Sequence, residues 1–79
     1  MKTKIKRIAR NKVNNYTINT IKIEDRYETA IKQDDRDWVV VQEYEDIARA
    51  EVGHKHWCSK CIDNPLYAYD IREKRNILF

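Results

Sequence analysis

The stretch that decides the fold begins with residues 16–32, whose C-terminal part at 21–32 has the sequence IKIEDRYETAIK. Apolar or β-branched residues fall on most odd positions of this part and charged residues on most even ones, which is typical of a strand with one buried and one solvated face. Asp25 interrupts the buried side, so we expect a bulge or bend near Glu24 and Asp25 in this strand. The following sequence, DDRDWVVVQE at residues 34–43, predicts a polar turn and a second strand that pairs with the first as an antiparallel hairpin.

Residues 45–62 have the periodicity of an α-helix. The residues expected on its buried face recur at spacings of three or four and are Ile47, Ala50, His54, Trp57, Cys58 and Cys61. Glu45 or Asp46 is expected to begin the helix, near the positive end of its dipole. Pro65 ends it, because proline cannot continue a helix. Gly53 costs about 1 kcal/mol relative to alanine in mid-helix, so it predicts a close approach of the helix to the sheet.

The order of these elements predicts a small α+β domain at residues 16–71, in which an antiparallel sheet of two or three strands packs against one main helix. Residues 66–71 are the candidate for the third strand. Residues 1–15 are expected to form a basic N-terminal extension that contains either a short helix or a strand. Residues 72–79 are expected to form a basic and then apolar C-terminal tail.

The composition is that of a small globular domain. The chain has 79 residues, of which 42% are hydrophobic and 37% charged. No apolar run approaches the roughly 18–20 residues that a membrane span needs, and the basic residues at the start are not followed by the apolar region of a signal peptide. We therefore expect a cytoplasmic protein with no membrane partner and with two reduced cysteines.

Charge is distributed unevenly along the chain. Residues 1–22 contain seven cations and no acid, whereas residues 23–70 contain six cations and twelve acids. Cations at this density can neutralise phosphates, so residues 2–22 are a candidate nucleic-acid contact, and an acidic protein is the other partner that they fit. Aromatic residues near the C-terminus are candidate interface anchors. The candidate partner-binding residues are Lys4, Lys6, Arg7, Arg10, Tyr67, Tyr69 and Phe79. A free strand edge also leaves open a homodimer.

A sequence pattern within the hairpin and the helix resembles one found in other small proteins. Its elements are the triplet Tyr27-Glu28-Thr29, then Tyr44, then Ala48 and Ala50, and then the pair Gly53-His54. The pattern is similar to that of a loose group of small proteins from phages and prophages of low-GC Gram-positive bacteria, and it covers roughly residues 26–58. The resemblance implies a hairpin-and-helix fold and a phage or prophage source, and it assigns no activity.

A cluster of metal-ligand residue types lies at the end of the predicted helix, in the sequence HKHWCSKC. The candidate metal ligands, which share a helix face at i, i+4 and i+7, are His54, Cys58 and Cys61. His56 points in another direction, so a four-coordinate zinc site would need a carboxylate such as Asp63 or Asp70, or a second copy of the chain. The alternative, which we favour, is that no metal binds, that both cysteines are small apolar core residues, and that the histidine lies at the core edge or caps the helix.

The two cysteines also have the C-x-x-C spacing of redox motifs. Thioredoxin-like motifs lie at a helix N-terminus, where the dipole lowers the thiol pKa, whereas Cys58 and Cys61 lie near a predicted helix C-terminus, which favours inert thiols. The chain has one glycine and therefore no glycine-rich phosphate loop. A chain of this size also seldom builds a pocket of a few hundred Å3. We expect no catalytic residues, no cofactor and no enzyme activity.

These features together favour a non-catalytic binding protein. We expect a phage- or prophage-encoded accessory protein that acts in the host cytoplasm by binding a host or phage protein, for example as an inhibitor of a host enzyme or of a defence factor. One alternative is a zinc-assisted nucleic-acid-binding protein that uses the basic N-terminal segment. A second alternative is a minor structural protein of a virion.

Overall fold

The computed structural model describes residues 4–65 and 67–78. Its elements are β1 (Ile5–Val13), β2 (Tyr16–Ile23), β3 (Arg26–Gln33), β4 (Val39–Tyr44), α1 (Ile47–Ile62), β5 (Tyr67–Asp70) and β6 (Arg75–Leu78). Strands β1 to β4 form an antiparallel sheet in chain order, and β5 and β6 form a separate two-stranded sheet. The predicted α+β class and the single main helix are confirmed, but the main sheet has four strands instead of two or three.

The interruption predicted at Glu24 and Asp25 is a complete turn between two strands. Ile23 pairs with Arg26 across it, and Glu24 has a φ of 59°, in the left-handed region that tight hairpin turns use. The single strand predicted at residues 16–32 is therefore wrong, because the chain reverses here and forms β2 and β3. Neither turn residue is the glycine or asparagine that usually marks such a reversal.

The reversal exchanges inward and outward positions between β2 and β3. Thr20 lies directly opposite Thr29, and both side chains are fully buried on the face that α1 covers. Opposite residues share a face, so even positions of β2 lie on the same side as odd positions of β3. The expectation that Ile21 and Ile23 share a buried face with Thr29 is therefore wrong, since Ile21 lies opposite Glu28 on the other side of the sheet.

The segment predicted as a basic N-terminal extension contains the first strand of the sheet. Within residues 1–15, β1 pairs with β2 from Ile5 to Val13. The turn that follows begins with Asn14, whose φ of 54° is a left-handed conformation that asparagine tolerates. The strand alternative for this segment is confirmed and the free extension is corrected, because pairing satisfies its backbone groups and Val13 packs on the core.

Helix α1 begins and ends where the sequence predicts. Asp46 is the N-cap, and its carboxylate accepts a hydrogen bond of 2.8 Å from the backbone N–H of Arg49. At the other end, the side-chain amide of Asn14 donates to the carbonyl oxygens of Cys61 at 3.1 Å and Ile62 at 3.2 Å. These carbonyls lack partners within the helix, so the turn between β1 and β2 fixes the position of the helix end.

One hydrophobic cluster joins the sheet, the helix and the C-terminal hairpin. Its buried members are Tyr16, Ile18, Ile31, Val39, Val41, Cys61 and Ala68. Half-buried side chains that pack against it are Val13, Trp57, Cys58 and Ile77. Each of the seven elements therefore supplies at least one side chain to the cluster or to the shell packed against it.

The candidate third strand exists as β5, but its hydrogen-bonded partner is β6. The backbone N–H of Ile71 donates to the carbonyl oxygen of Val40 at 2.9 Å, which holds this hairpin beside β4. The C-terminal tail predicted at residues 72–79 is corrected, because Ile77 packs on the core and its segment pairs as β6. Phe79 lies outside the described residues.

Candidate functional site

Strand β1 is an edge strand with exposed basic side chains. It lies at one end of the strand order, so that within the described residues only β2 pairs with it. The cations on this strand and just before it, which we call the cationic edge, are Lys4, Lys6, Arg7, Arg10 and Lys12. All five are exposed, and none forms an ion pair with a carboxylate in the described part of the chain. The N-terminal residues predicted to bind a partner are therefore accessible.

The cationic edge is divided between the two faces of the sheet. Asn11 turns toward α1, where it contacts His54. Side chains alternate along a strand, so Arg10 and Lys12 turn to the opposite side, which α1 leaves uncovered and which we call the open face. Arg7 joins them there, because the β-bulge that follows it shifts the alternation by one residue.

Trp38 extends the basic part of the open face. The guanidinium carbon of Arg10 lies 6.0 Å from the centroid of the Trp38 ring, and the ammonium nitrogen of Lys32 lies 5.3 Å from it. Both distances fit cation–π contacts. The indole remains 40% exposed, so the open face combines cations with an aromatic ring.

The tyrosines predicted to bind a partner lie on the C-terminal hairpin. Tyr67 is 58% exposed and Tyr69 is 51% exposed, whereas Ala68 and Asp70 between and after them are buried. The hairpin lies beside β4, at the edge of the sheet away from β1. The structure therefore exposes the predicted N-terminal cations and the two tyrosines but does not bring the cationic edge and these tyrosines together.

A buried hydrogen-bond network links α1 to the sheet. The Nδ1 atom of His54 lies 2.7 Å from the Thr20 hydroxyl, and its Nε2 atom lies 2.8 Å from Oδ1 of Asn11. Thr20 and Thr29 are joined by a hydrogen bond of 2.6 Å between their hydroxyls. The Thr29 hydroxyl in turn lies 3.1 Å from that of Tyr44. One polar series thus runs from the edge strand through the helix to β4.

Burial sets the protonation state of this network. Desolvation lowers the pKa of His54, which is only 4% exposed, so its imidazole is neutral at pH 7. In the neutral ring Nε2–H donates to Asn11 and Nδ1 accepts from Thr20. The predicted position of His54 at the core is confirmed. The two threonine partners were not predicted, because a threonine in a strand gives no sequence signal that its hydroxyl is buried and bonded.

The candidate metal ligands do not form a ready site. Both ring nitrogens of His54 are already hydrogen-bonded, whereas metal coordination needs a free lone pair on one of these nitrogens. Cys61 is fully buried and Cys58 half-buried. Across residues 4–65 and 67–78, no group of three His, Cys, Asp or Glu side chains is placed to hold a metal ion.

The two thiols lie in the last turns of α1, as the sequence predicts. Burial raises the pKa of Cys58, and burial together with the nearby Cys58 raises the pKa of Cys61 to about 11. Both are free cysteines. Since the thiolate is the reactive form, these residues are poor nucleophiles at neutral pH and fit the core role that the sequence favours.

An open groove lies between the end of β4 and the first half of α1. Its volume is about 760 Å3, which is larger than expected for so short a chain. Its walls include Tyr44, Val52 and Gly53, with His56 and Glu45 also on the lining. No hydrogen bond joins His56 to Glu45 in the described structure, so these two residues are not held as a base and acid pair.

Comparisons with known proteins do not add to this geometry. No protein-family model, curated protein or solved structure matches the chain. The resemblance to phage and prophage proteins therefore stays a prediction. Among the described residues, no helix is long and apolar enough to cross a membrane.

Proposed function

We propose that this chain is a non-catalytic binding protein that occupies an acidic surface of another protein through its cationic edge. The observation that carries the proposal is that the five cations on and just before one edge strand are exposed and have no carboxylate partner in the described chain. Clustered charge of one sign steers an oppositely charged partner and favours its encounter.

The interior supports a binding role over a catalytic one. His54 and Cys61 are buried and Cys58 is half-buried, and these side chains serve the hydrogen-bond network or the core. With a phage or prophage source, as the resemblance implies, the partner is a host or phage protein. Binding would act by covering the partner's surface, for example to inhibit a host enzyme or a defence factor.

Charge reversal at the cationic edge tests this proposal. The variant R7E/R10E/K12E should lose the proteins that the wild type captures from a lysate of a candidate host. The matched control is R36E/K55E/K74E, which changes the net charge equally at exposed residues that form no ion pair in the described structure. Thermal melts establish that both variants fold. Equal capture by the edge variant and the wild type would refute the proposal.

A second candidate function is nucleic-acid binding, and Trp38 with its flanking cations is the observation in its favour. Exposed aromatic rings beside basic residues are a common platform for single strands. Three acids, Asp34, Asp35 and Asp37, precede Trp38 and would repel phosphates. Both cations also already contact the indole. We therefore rank an acidic protein above a nucleic acid.

Fluorescence anisotropy separates the two candidates. The probes are labelled single-stranded and duplex DNA and single-stranded RNA of about 20 nucleotides, a length that exceeds the usual site size. If the natural partner is an acidic protein, the chain should associate only weakly with these probes, and this association should disappear between about 50 and 200 mM salt. Tight association with one of these probes that persists at the higher salt, and that W38A weakens, would instead favour nucleic-acid binding.

A further inference from the structure

We propose that the partner contributes an extended acidic segment that adds to β1 as a fifth, antiparallel strand of the main sheet. This inference rests on the proposed function and deepens it, because it specifies how the cationic edge is occupied. Strand addition uses main-chain hydrogen bonds for affinity and alternate side chains for specificity.

The outer side of β1 is accessible to another strand. The other edge of the sheet, at β4, is partly covered by the C-terminal hairpin through the hydrogen bond from Ile71 to Val40. At β1, within the described chain, the strand order ends. β1 has nine residues, and a β-bulge between Arg7 and Ala9 divides it. The regular run Ala9–Val13 is therefore the part on which an added strand pairs best.

The register identifies the residues whose backbone groups face outward. A two-residue turn joins Val13 to Tyr16, and in such hairpins the closing pair exchanges both hydrogen bonds. Backbone groups alternate along a strand, so Asn11 and Val13 direct theirs to β2. Arg10 and Lys12 direct theirs away from the sheet.

The same two residues carry their charges on the open face. In an antiparallel pair, a residue opposite Arg10 or Lys12 also directs its N–H and C=O groups to β1 and places its side chain on the open face. Opposite charges at such positions stabilise the pair, whereas like charges destabilise it. The occupant therefore has acidic residues at alternate positions.

Charge also excludes the simplest competitor, a second copy of β1. Self-pairing would bring another copy of the cationic edge against the first, because the strand and the residue before it carry five cations and no acid. Lysine and arginine on an edge strand are a recognised protection against such pairing. An acidic strand removes this repulsion, so the feature that prevents self-association selects the partner.

A synthetic peptide tests strand addition. The probe has about eight residues, the length of an ordinary strand, with glutamate alternating with valine and threonine. Amide hydrogen exchange of the full chain is followed by NMR. The amides of Arg10 and Lys12 should exchange at least about tenfold more slowly with the peptide, whereas the amide of Asn11, already inside the sheet, should change little.

Two backbone-methylated peptides supply the matched control. N-methylation of the glutamates blocks the N–H groups that face β1 and should abolish protection at Arg10 and Lys12. N-methylation of the valines and threonines blocks only the solvent side and should leave protection intact. All three peptides carry the same charge, so a difference between the methylated forms is a property of the backbone.

The remaining outcomes distinguish a failure of strand addition from a failure of the proposed function. If all three peptides bind equally, the contact is electrostatic only, so strand addition fails and the proposed function stands. If none binds or protects the two amides while capture from lysate still requires Arg7, Arg10 and Lys12, the same conclusion follows. If capture is also insensitive to charge reversal, both fail. A dimer by native mass spectrometry with Arg10 and Lys12 protected without peptide would make a second copy the occupant and overturn the inference.

Discussion

Gly53 of α1 lies against the ring of Tyr44 in β4, so closely that a Cβ at this position would overlap the phenol oxygen and two ring carbons. Tyr44 is 7% exposed and is held by its hydrogen bond to Thr29. The ring therefore has little room to move. The close approach of helix and sheet that the glycine predicts is confirmed. The contact explains why the helix contains glycine, which has the lowest helix propensity of any residue except proline.

The substitution Gly53→Ala should lower the free energy of unfolding by about 1–3 kcal/mol, the usual cost of overpacking. This loss occurs despite a gain of about 1 kcal/mol in helix propensity. Urea denaturation measures it. The control is Val52→Ala at the neighbouring exposed position, which should change stability by no more than about 0.5 kcal/mol. A more stable Gly53→Ala variant would mean that α1 and β4 lie further apart than described.

Arg72 should stabilise two carboxylates that face each other across β3 and β4. Glu28 lies opposite Glu43 in the register, and the Arg72 guanidinium contacts both. Because Glu28 is 9% exposed, Arg72→Ala should cost about 1–2 kcal/mol in chemical denaturation by leaving like charges adjacent.

The control for Arg72 is Arg75→Ala. Arg75 pairs with Glu73 at 3.4 Å where both side chains are exposed, and such pairs contribute about 0–1 kcal/mol. Adding Glu28→Gln to Arg72→Ala should recover part of the loss, because one of the two charges is removed. Equal effects of Arg72→Ala and Arg75→Ala would show that the Arg72 contacts are ordinary surface pairs.

The pH dependence of stability should contain a contribution from His54. Burial lowers its pKa in the folded state, so below the unfolded value of about 6.5 the unfolded chain binds more protons and is favoured. The contribution is fully present above that value and is lost as the pH falls from it toward the folded pKa. Denaturation between about pH 7.5 and 5 should give a slope that His54→Gln reduces. An unchanged slope in His54→Gln would contradict this assignment.

Glu24 occupies a left-handed backbone position that asparagine tolerates better. Glu24→Asn should therefore raise the free energy of unfolding by about 0.5–1 kcal/mol. Thermal unfolding measures the gain. Asp25→Asn is the control, because Asp25 does not have a positive φ. No gain at position 24 would indicate that the turn adopts another conformation in solution.

The sequence predicts α1 well because the signals that define it are local. Asp46, Pro65 and the repeated apolar spacing are all read within one segment. The number of strands is not predicted, because β1 has few of the apolar residues that mark a buried face. One of its inward positions is Asn11, which is stabilised by His54 from a distant part of the chain. A partner so far away in sequence cannot be inferred from local periodicity.

The candidate site is predicted in composition but not in arrangement. Clustered lysine and arginine identify the cationic edge, and the alternate positions of Tyr67 and Tyr69 place them on one side of β5. The distribution of charges between the two faces depends on the bulge after Arg7, and the pairing of Arg10 and Lys32 with Trp38 depends on how the sheet folds. Both are tertiary properties.

The buried network has a consequence for the direction of its protons. Because Nδ1 of neutral His54 accepts a hydrogen bond from the Thr20 hydroxyl, Thr20 must accept from Thr29, and Thr29 must accept from Tyr44. The tyrosine proton then points to Thr29 at 3.1 Å and not to the Gln42 oxygen at 3.4 Å, which is left to the indole N–H of Trp57. The core therefore has a one-way order of donors, and a proton added to the imidazole would reverse every hydroxyl in the series.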